Sequence, residues 1–416
     1  MEMEKEVKAV ATVIGERTQG HSAVESGPRA YYLRHRADTK NWSPVMAQIH
    51  DHTMVVAGVP ASRFYHDATS FVDAQVAVQS YYGLDELEFI NDAYNFEAEA
   101  LGARMIYGKE SMPTIDFREP LIKKPADLLR LSTPDFRKDG RFPYQMEIGR
   151  QSMELGINTA FFCGPFSLAV GVRSYPLLIQ DTRKDPGFVH DLFTFLVDHV
   201  LLPYIRYMHD QLGVTVFSGA DAWSAFPNLS PGLIEELVLP WNLRILQKGA
   251  EMGVYAAVVA TADYCEERIE KFDAGILRRC LEASVASQGA PVILLGMGRW
   301  QDYPLEPVVE YGRELKAQGQ TVTVMAGVNA RLLRDGPVPA IVRNVKRLVD
   351  AFTPEFNLII FLANIPADAP GEHIHAAVQA ARHYSQAPYR FRDDGASFVP
   401  GPAMSFTGFM SRIDSL

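Results

Sequence analysis

Short apolar runs recur along the chain and alternate with longer amphipathic segments. The runs are rich in Val, Ile and Phe, and several are continuously apolar, which is typical of strands that are covered on both faces. Strands that alternate with helices predict parallel pairing. The predicted strands are LEFIN (87–91), NTAFFC (158–163), VTVFSG (214–219), VYAAVVA (254–260), PVILLG (291–296), TVTVMAG (321–327) and NLIIFL (357–362).

The number of strand–helix units predicts the α/β class, as a single (β/α)8 TIM-type barrel rather than an open sheet. The predicted barrel covers residues 80–384. Residues 1–79 do not follow the alternation, and we predict a helical N-terminal extension there. Residues 385–416 are rich in Gly, Pro and Ser, which predicts an irregular C-terminal tail.

Composition and charge narrow the classes of partner. The chain has 416 residues, of which 47% are hydrophobic, and a net charge of −10 without a cluster of Lys and Arg. A protein of this charge is a poor partner for nucleic acid or an anionic membrane surface. Three scattered cysteines do not form a disulfide framework, and the charged N-terminus lacks the apolar core of a signal peptide. We therefore expect a cytoplasmic protein that does not span a membrane, with its oligomeric state open.

The candidate functional residues follow the predicted strands, because barrel chemistry is located at the carboxyl ends of the strands. Three of them are aspartates, which stand after three different strands. Asp92 and Asp221 also have a structural interpretation, because aspartate is a common helix cap. The arginine among the candidates is equally compatible with a solvated surface role. The candidates are Asp92, Tyr94, Asn95, Phe162, Ser218, Asp221, Trp223, Asp263, Arg299, Asn329 and Asn364.

The segment GEHIHAAVQAARHY contains the pair His373 and His375, which has the form of a metal-binding H-x-H motif. The pattern predicts a helix that starts just before the pair. Residues two apart on a helix point about 200° away from each other, so these two side chains cannot share a metal ion. We predict structural histidines in the first turns of that helix.

Five blocks of the sequence carry a resemblance to a known family. They are INDAYNFEAEALGARMIYGKESMP (90–113), FFCGPFSLAVGVRSYP (161–176), GADAWSAFPNLSPGLIEELVLPW (219–241), AGVNARLLRDGPVPAIVRNVKRLVD (326–350) and FLANIPADAPGEHIHAAVQAARHY (361–384). They resemble the uroporphyrinogen decarboxylase superfamily, which implies the single barrel. By this resemblance, Asp92 stands where the decarboxylases have the aspartate that grips pyrrole N–H groups. The decarboxylase tyrosine is replaced by Gly171, a terminal-loop histidine by Ala363, and the arginine-rich N-terminal motif is missing.

These departures favour the corrinoid-dependent methyltransferase branch of the superfamily. Members that methylate thiols bind zinc through H-x-C and a later Cys, and the corresponding stretch here, VVATADYC (258–265), lacks that motif. We therefore predict no zinc site of the His-x-Cys type and leave the metal content open. The chain resembles the substrate-side components of O-demethylase systems. This implies that the methyl donor is a small methylated molecule of the methoxylated aromatic class. It also implies a corrinoid (cobalamin) that a partner protein carries.

The implied chemistry assigns roles to the candidates. An ether oxygen leaves as a poor anion, so a general acid must protonate it, and Asp92, Asp221 and Asp263 are the predicted catalytic residues. The other eight candidates are predicted to bind substrate. Two alternatives remain open, a lyase that decarboxylates a small aromatic acid or a tetrapyrrole, and a barrel that binds a tetrapyrrole or a corrinoid protein without catalysis.

Overall fold

The strands of the molecule pair in chain order around a barrel. The computed structural model describes residues 27–36, 40–87, 95–391 and 397–414. The strands within them are β1 (Val45–Ala47), β2 (Met105–Ile106), β3 (Thr114–Ile115), β4 (Thr159–Cys163), β5 (Val216–Ala220), β6 (Tyr255–Val258), β7 (Val292–Leu295), β8 (Thr323–Val328) and β9 (Asn357–Leu362). One parallel sheet consists of β4, β5 and β6, and another consists of β7, β8, β9 and β1. The short strands β2 and β3 form an antiparallel hairpin.

The pairing of the first strand with the last identifies the architecture. Val45 of β1 lies opposite Ile360 of β9, and every other neighbour in the two parallel sheets is the next parallel strand along the chain. An open doubly wound sheet reverses its strand order at a switch point, whereas a barrel returns from its last strand to its first. The predicted (β/α)8 barrel class is therefore confirmed.

Six of the seven predicted strands are confirmed, and the seventh, LEFIN, falls largely on residues 88–94, outside the described residues. The segment 1–79 was predicted as a helical extension, but β1 lies inside it and belongs to the main sheet. A three-residue strand is too short to produce a periodic signal. The tail was predicted to be irregular, yet residues Phe406–Asp414 form a helix.

Helices connect the strands and surround the barrel. The longest helix among the described residues, α9 (Pro186–Leu212), passes through a π-helical segment at Leu196–Leu201. By length and composition alone, this helix could cross a membrane. However, 56% of its most apolar window is buried inside the chain, as in a core helix. The helices are α1 (Gly27–His35), α2 (His50–Ala57), α3 (Ala61–Phe64), α4 (Ala68–Tyr82), α5 (Phe96–Ala100), α6 (Phe142–Glu154), α7 (Pro165–Arg173), α8 (Tyr175–Lys184), α9 (Pro186–Leu212), α10 (Pro231–Leu233), α11 (Leu239–Glu251), α12 (Ala274–Gln288), α13 (Glu306–Ala317), α14 (Ala330–Asp335), α15 (Val338–Phe352), α16 (Gly371–Ser385) and α17 (Phe406–Asp414).

The two faces of the barrel wall differ in burial. Phe162 and Phe217 are fully buried and belong to the large core that includes residues of the surrounding helices. Phe161, one residue earlier, is half-buried and packs with Ala220 and Ala260 in a small separate cluster. Because successive strand residues point to opposite faces, Phe162 faces the helices and Phe161 faces the barrel interior.

Gly327 of β8 lies where the backbone of β7 and of the residue after it leaves no room for a side chain. A Cβ at Gly327 would lie 2.1 Å from the carbonyl oxygen of Leu295 and 2.3 Å from that of Gly296. Backbone oxygens cannot rotate away, so we expect Gly327→Ala to lower the free energy of unfolding by about 3 kcal/mol or more. Chemical denaturation measures this loss.

Gly187 in the first turn of α9 provides the control for this prediction. A Cβ there would meet the Asp185 side chain at 3.7 Å, an ordinary contact. Gly187→Ala should therefore leave the protein as stable as the wild type or stabilise it by about 0.5 kcal/mol. Equal denaturation midpoints for the two variants would contradict the assigned packing at Gly327.

Candidate active site at the barrel mouth

Asp221 joins two neighbouring loops at the carboxyl end of the barrel. It directly follows β5 and is fully buried. Its Oδ1 accepts hydrogen bonds from the backbone N–H and the hydroxyl of Ser167, each at 2.7 Å, and its Oδ2 accepts one from Phe166 N–H at 3.4 Å. Both donors lie in the first turn of α7, which follows β4. Asp221 therefore caps the helix of the adjacent unit, with both oxygens occupied.

Asp263 has a similar place on the next strand but a different set of partners. It follows β6, it is 7% exposed, and its Oδ2 accepts a hydrogen bond from the backbone N–H of Met297 after β7. Its Oδ1 is buried and makes no hydrogen bond of ordinary geometry among the described residues, although the Cys265 thiol and the N–H groups of Gly296 and Tyr264 lie close enough to lower the pKa of this carboxyl. A buried acceptor without a well-formed hydrogen bond costs about 1–3 kcal/mol unless it is protonated or meets a donor. Of the two aspartates, Asp263 is thus the one with an unused oxygen.

Burial changes the ionisation of both carboxyl groups. It raises the pKa of Asp221 and the pKa of Asp263 from 3.8 to about 6 in each case. Hydrogen bonds lower both pKa values by less, and they come from the Ser167 hydroxyl and N–H groups for Asp221 and from N–H groups and the Cys265 thiol for Asp263. Each acid is therefore protonated in part near neutral pH. Of the two, Asp263 combines this property with an oxygen that makes no hydrogen bond of ordinary geometry.

Asn329, at the end of β8, binds the same loop after β7 that Asp263 contacts. Its side-chain N–H group donates to the carbonyl oxygens of Met297 and Gly298 at 3.0 and 3.1 Å, and its Oδ1 caps α14 through Arg331 N–H. Together with the hydrogen bond from Met297 to Asp263, these contacts hold the loop at both ends. Asn329, predicted to bind substrate, has its side-chain groups committed to the loop.

An aromatic wall stands on the rim near Asp221. The Trp223 ring stacks on Tyr175 at a centroid distance of 5.6 Å, and Phe117 meets it edge-on at 6.0 Å. The backbone N–H of Trp223 donates a hydrogen bond to Ser167 Oγ. The aromatic wall is therefore connected to the serine that donates to Asp221. Trp223 is half-buried, with part of its ring accessible.

On the described strands, the half-buried positions below this rim carry no charged side chain. Phe161 of β4 lies opposite Ser218 of β5, and Leu294, Met325 and Ile359 lie opposite one another on β7, β8 and β9. All five are half-buried, whereas the residues between them on the strands are buried. Alternate half-burial on successive strands is what a partly open barrel interior produces. Such a lining suits an apolar or aromatic small molecule.

Four predicted site residues have other roles or lie elsewhere. Phe162 was predicted to bind substrate, which is wrong, because its ring is buried against Gly219 on the helix-facing side of the wall. Asn95 is buried and donates to the carbonyl oxygen of Pro113, so it anchors the β3 hairpin. Asp92 and Tyr94 lie outside the described residues and stay predictions.

The remaining predicted residues lie on the rim. Arg299 pairs with Asp302 and donates to the carbonyl oxygen of Glu267, whose carboxylate binds Arg331 at 2.9 Å. Arg299 is therefore committed to loop contacts. Asn364 follows β9 with a backbone φ of 49°, a conformation that asparagine tolerates better than most residues. It is half-buried.

Two buried groups near Asp221 were missed at the sequence level. Glu97 of α5 is fully buried and accepts a hydrogen bond from Cys163 N–H at the end of β4, at 2.7 Å. Its charge, after burial itself, raises the pKa of Cys163 and that of Tyr204. Ser167 of α7 binds Asp221 directly. A Glu in an amphipathic helix and a Ser beside a helix start carry no signal that separates them from ordinary surface residues.

The structure also resolves the histidine pair. His373 and His375 lie in the first turns of α16, as predicted. His373 Nδ1 bonds the carbonyl oxygen of Leu333 at 2.8 Å, while His375 packs against the rings of Tyr81 and Tyr82. Over the described ranges, no three His, Cys, Asp or Glu side chains converge in an arrangement that could hold a metal ion. These residues therefore do not supply a donor set for zinc, and we assign no step to a metal.

The connection through Asp221 can be tested by stability. Asp221→Ala leaves three buried donors of α7 without an acceptor, so we expect the free energy of unfolding to fall by about 2–4 kcal/mol. Asp210, exposed on α9, provides the control, and Asp210→Ala should change stability by less than about 0.5 kcal/mol. Urea denaturation followed by circular dichroism measures both. If Asp221→Ala is as stable as Asp210→Ala, the carboxylate does not cap α7.

Comparisons with known proteins agree with the architecture. The family model described as Uroporphyrinogen decarboxylase (URO-D) matches residues 42–384, most of the chain. No curated protein matches the sequence. Among solved structures, the barrel is similar to one described as "methyltransferase from Methanosarcina mazei", with a TM-score of 0.61 and 16% sequence identity over 86% of this chain and 99% of that chain. At this identity the similarity establishes a shared fold.

Proposed function

This chain belongs to the uroporphyrinogen decarboxylase family, and we propose that within this family it acts as a methyltransferase. Its proposed donor is a small methoxylated aromatic compound, and its proposed acceptor is the cobalt of a corrinoid that a separate protein carries. The observation that carries the proposal is the buried Asp263 with its unused Oδ1 at the barrel mouth. The solved structure that shares the fold is itself described as a methyltransferase, which adds support.

The barrel interior favours an aromatic ether over a highly charged substrate. Its half-buried side chains on the described strands include Phe161, Ser218, Leu294, Met325 and Ile359, and none of these five carries a charge. A porphyrinogen with several carboxylates requires several cations around it. An uncharged interior below the Trp223 wall instead offers burial and ring contacts to an aryl group.

The proposed reaction breaks the bond between the methyl carbon and the ether oxygen. The electron pair of the reduced cobalt forms the new bond to the methyl carbon, and the electron pair of the carbon–oxygen bond moves to the oxygen. A proton from Asp263 Oδ1 converts this oxygen into a phenol hydroxyl, so atoms and charges balance. The proton is needed because an unprotonated oxygen is the poorer leaving group.

The protonated form of Asp263 fits this task chemically. An O–H at Oδ1 would donate to the ether oxygen, which satisfies the buried oxygen that otherwise makes no hydrogen bond of ordinary geometry. The N–H of Met297 continues to hold Oδ2, so the carboxyl plane stays fixed during the transfer. Burial raises the pKa of Asp263 to about 6, which keeps part of the enzyme in the acid form near neutral pH.

The test follows the donor and its products. Purified enzyme is incubated anaerobically with free cob(I)alamin and a panel of methoxybenzoates that carry a deuterated methyl group. We expect mass spectrometry to detect the matching phenol and deuterated methylcobalamin in equal amounts. Release of carbon dioxide from the benzoates without phenol would instead identify a decarboxylase. If neither phenol nor methylcobalamin forms with any donor, the proposed function is wrong.

A further inference from the structure

Exposed hydrophobic side chains are concentrated on one segment at the barrel mouth. Of the nine large hydrophobic residues that are exposed in the described part of the chain, four lie within residues 104–131. They are Ile106, Tyr107, Phe117 and Leu129, and the Leu129 side chain is 88% exposed. We call residues 104–131 the rim segment. Exposed hydrophobic residues that concentrate on one part of a surface are typical of interaction sites.

The rim segment also differs in charge from the rest of the protein. It contains six basic and four acidic residues, a net charge of +2 in a chain with a net charge of −10. Asp116, one of the four acids, is buried and neutralised by Arg104 and Arg118, whose own side chains are 68% and 79% exposed. The segment therefore presents more cations than carboxylates to the solvent. It suits an acidic partner surface.

A cleft within the rim segment concentrates this positive charge. It has a volume of about 530 Å³ and is lined by Lys123, Lys124, Arg130, Asp127, Leu121 and Leu131. Three cations surround one carboxylate, and two leucines form its apolar walls. Lys123 pairs with Glu119 at the surface, and Arg130 lies 3.6 Å from Asp127. Acidic side chains from another protein would find both charge and apolar contact there.

The position of the rim segment links it to the candidate active site. Phe117 contacts Trp223 of the aromatic wall, and Ile122 N–H donates to the carbonyl oxygen of Val172 near the end of α7. On the other side, Met112 N–H donates to Asp51 in the first turn of α2. The segment thus runs along the mouth from α2 to the loop after β5.

We propose that the rim segment is the docking surface for the corrinoid protein, which presents an acidic face to the cleft between Lys123 and Arg130. The proposal rests on the proposed function, because the partner must bring its cobalt to the mouth that the segment borders. Docking through exposed Leu129 and the basic cleft orients the partner over the aromatic wall. Steering by charge predicts that association weakens as salt increases.

The test compares two acceptors of the methyl group. One is free cob(I)alamin, and the other is the corrinoid protein that the wild-type enzyme methylates fastest among a purified panel. The variant is Lys124→Glu combined with Leu129→Glu, two exposed positions. The control is Lys316→Glu combined with Val399→Glu, two exposed changes of the same chemistry on α13 and the C-terminal segment.

The rim variant should lower kcat/KM for the corrinoid protein about 10- to 100-fold, and wild-type kcat/KM should fall as salt rises from 50 to 300 mM, as expected for charge-steered association. Transfer to free cob(I)alamin should stay within about twofold for both variants, since neither touches the interior. Unchanged transfer to the corrinoid protein in the rim variant would overturn the docking proposal. An equal loss of kcat/KM for the corrinoid protein in the control variant would also overturn it. The same holds if the wild type methylates free cob(I)alamin but no corrinoid protein. Absence of transfer to free cob(I)alamin would instead contradict the proposed function.

Discussion

Replacing Asp263 by asparagine should slow methyl transfer about 10²- to 10⁴-fold, the usual contribution of a general acid. Asparagine has the same shape, and its oxygen can still accept the hydrogen bond from Met297 N–H. Its amide cannot release a proton to the leaving oxygen. Substrate binding should change far less than kcat, because an N–H group at the Oδ1 position still donates to an ether oxygen. Single-turnover kinetics with free cob(I)alamin measures the two effects separately.

The pH dependence separates an acid from a structural residue. Burial raises the pKa of Asp263 to about 6, so the acid form dominates below pH 6 and declines above it. The wild-type rate should therefore fall about tenfold per pH unit well above pH 6. In Asp263→Asn this decline should disappear along with most of the rate. A variant that keeps the wild-type rate and pH profile would leave Asp263 as a connector of the loops after β6 and β7.

The same assay tests Asp92, the first of the catalytic aspartates predicted from the sequence. Asp92 occupies the position of a functional aspartate in the family that the sequence resembles, and it lies outside the described residues. Asp92→Asn measured beside Asp263→Asn shows which carboxyl group supplies the proton. A loss confined to Asp92→Asn would transfer the acid role to that residue. Melting temperatures of all variants control for loss of structure.

Phe162→Ala should be the most destabilising of the simple truncations in the barrel wall, by about 3–5 kcal/mol. Its ring is fully buried on the helix-facing side and lies against Gly219, where an added Cβ would be only 2.6 Å from the ring. Phe161→Ala, one residue away, removes a half-buried ring from the interior side. It should cost less stability, about 1–2 kcal/mol, and should raise KM for an aryl donor about tenfold, a loss of about 1.4 kcal/mol of binding.

This pair of variants tests the direction of the strand. Differential denaturation gives the stabilities, and steady-state kinetics on the folded fraction gives KM. If Phe162→Ala raises KM while Phe161→Ala only destabilises, the assignment of faces on β4 is reversed. Equal effects of the two changes on stability and on KM would contradict a partly open interior.

The distinction between these two phenylalanines marks where sequence reasoning reached its limit. The run NTAFFC is apolar throughout, so it predicts a strand that is covered on both faces but not which residue faces inward. The choice of Phe162 was wrong for this reason. The succession of such runs, however, was enough to predict the barrel, because parallel strands linked by helices close into few arrangements.

Asp221 and Asp263 follow β5 and β6 in the structure, but the sequence does not distinguish their surroundings. Asp221 and Asp263 have similar surroundings in sequence, a polar residue after an apolar run. Their difference depends on partners far along the chain, Ser167 for one and Met297 for the other. One aspartate has both oxygens occupied and the other has one unused, which only the packing of neighbouring loops determines. Strand β1 was missed because three residues cannot establish a period.

The central claim, methyl transfer from an aromatic ether to a corrinoid, is tested most directly by visible absorbance. Wild-type enzyme, free cob(I)alamin and a methoxybenzoate are mixed without oxygen, beside samples that lack enzyme or contain Asp263→Asn. We predict that the spectrum of cob(I)alamin converts to that of methylcobalamin with the wild type at a rate well above both controls. An unchanged cob(I)alamin spectrum with the wild type across the whole donor panel would contradict the proposed function.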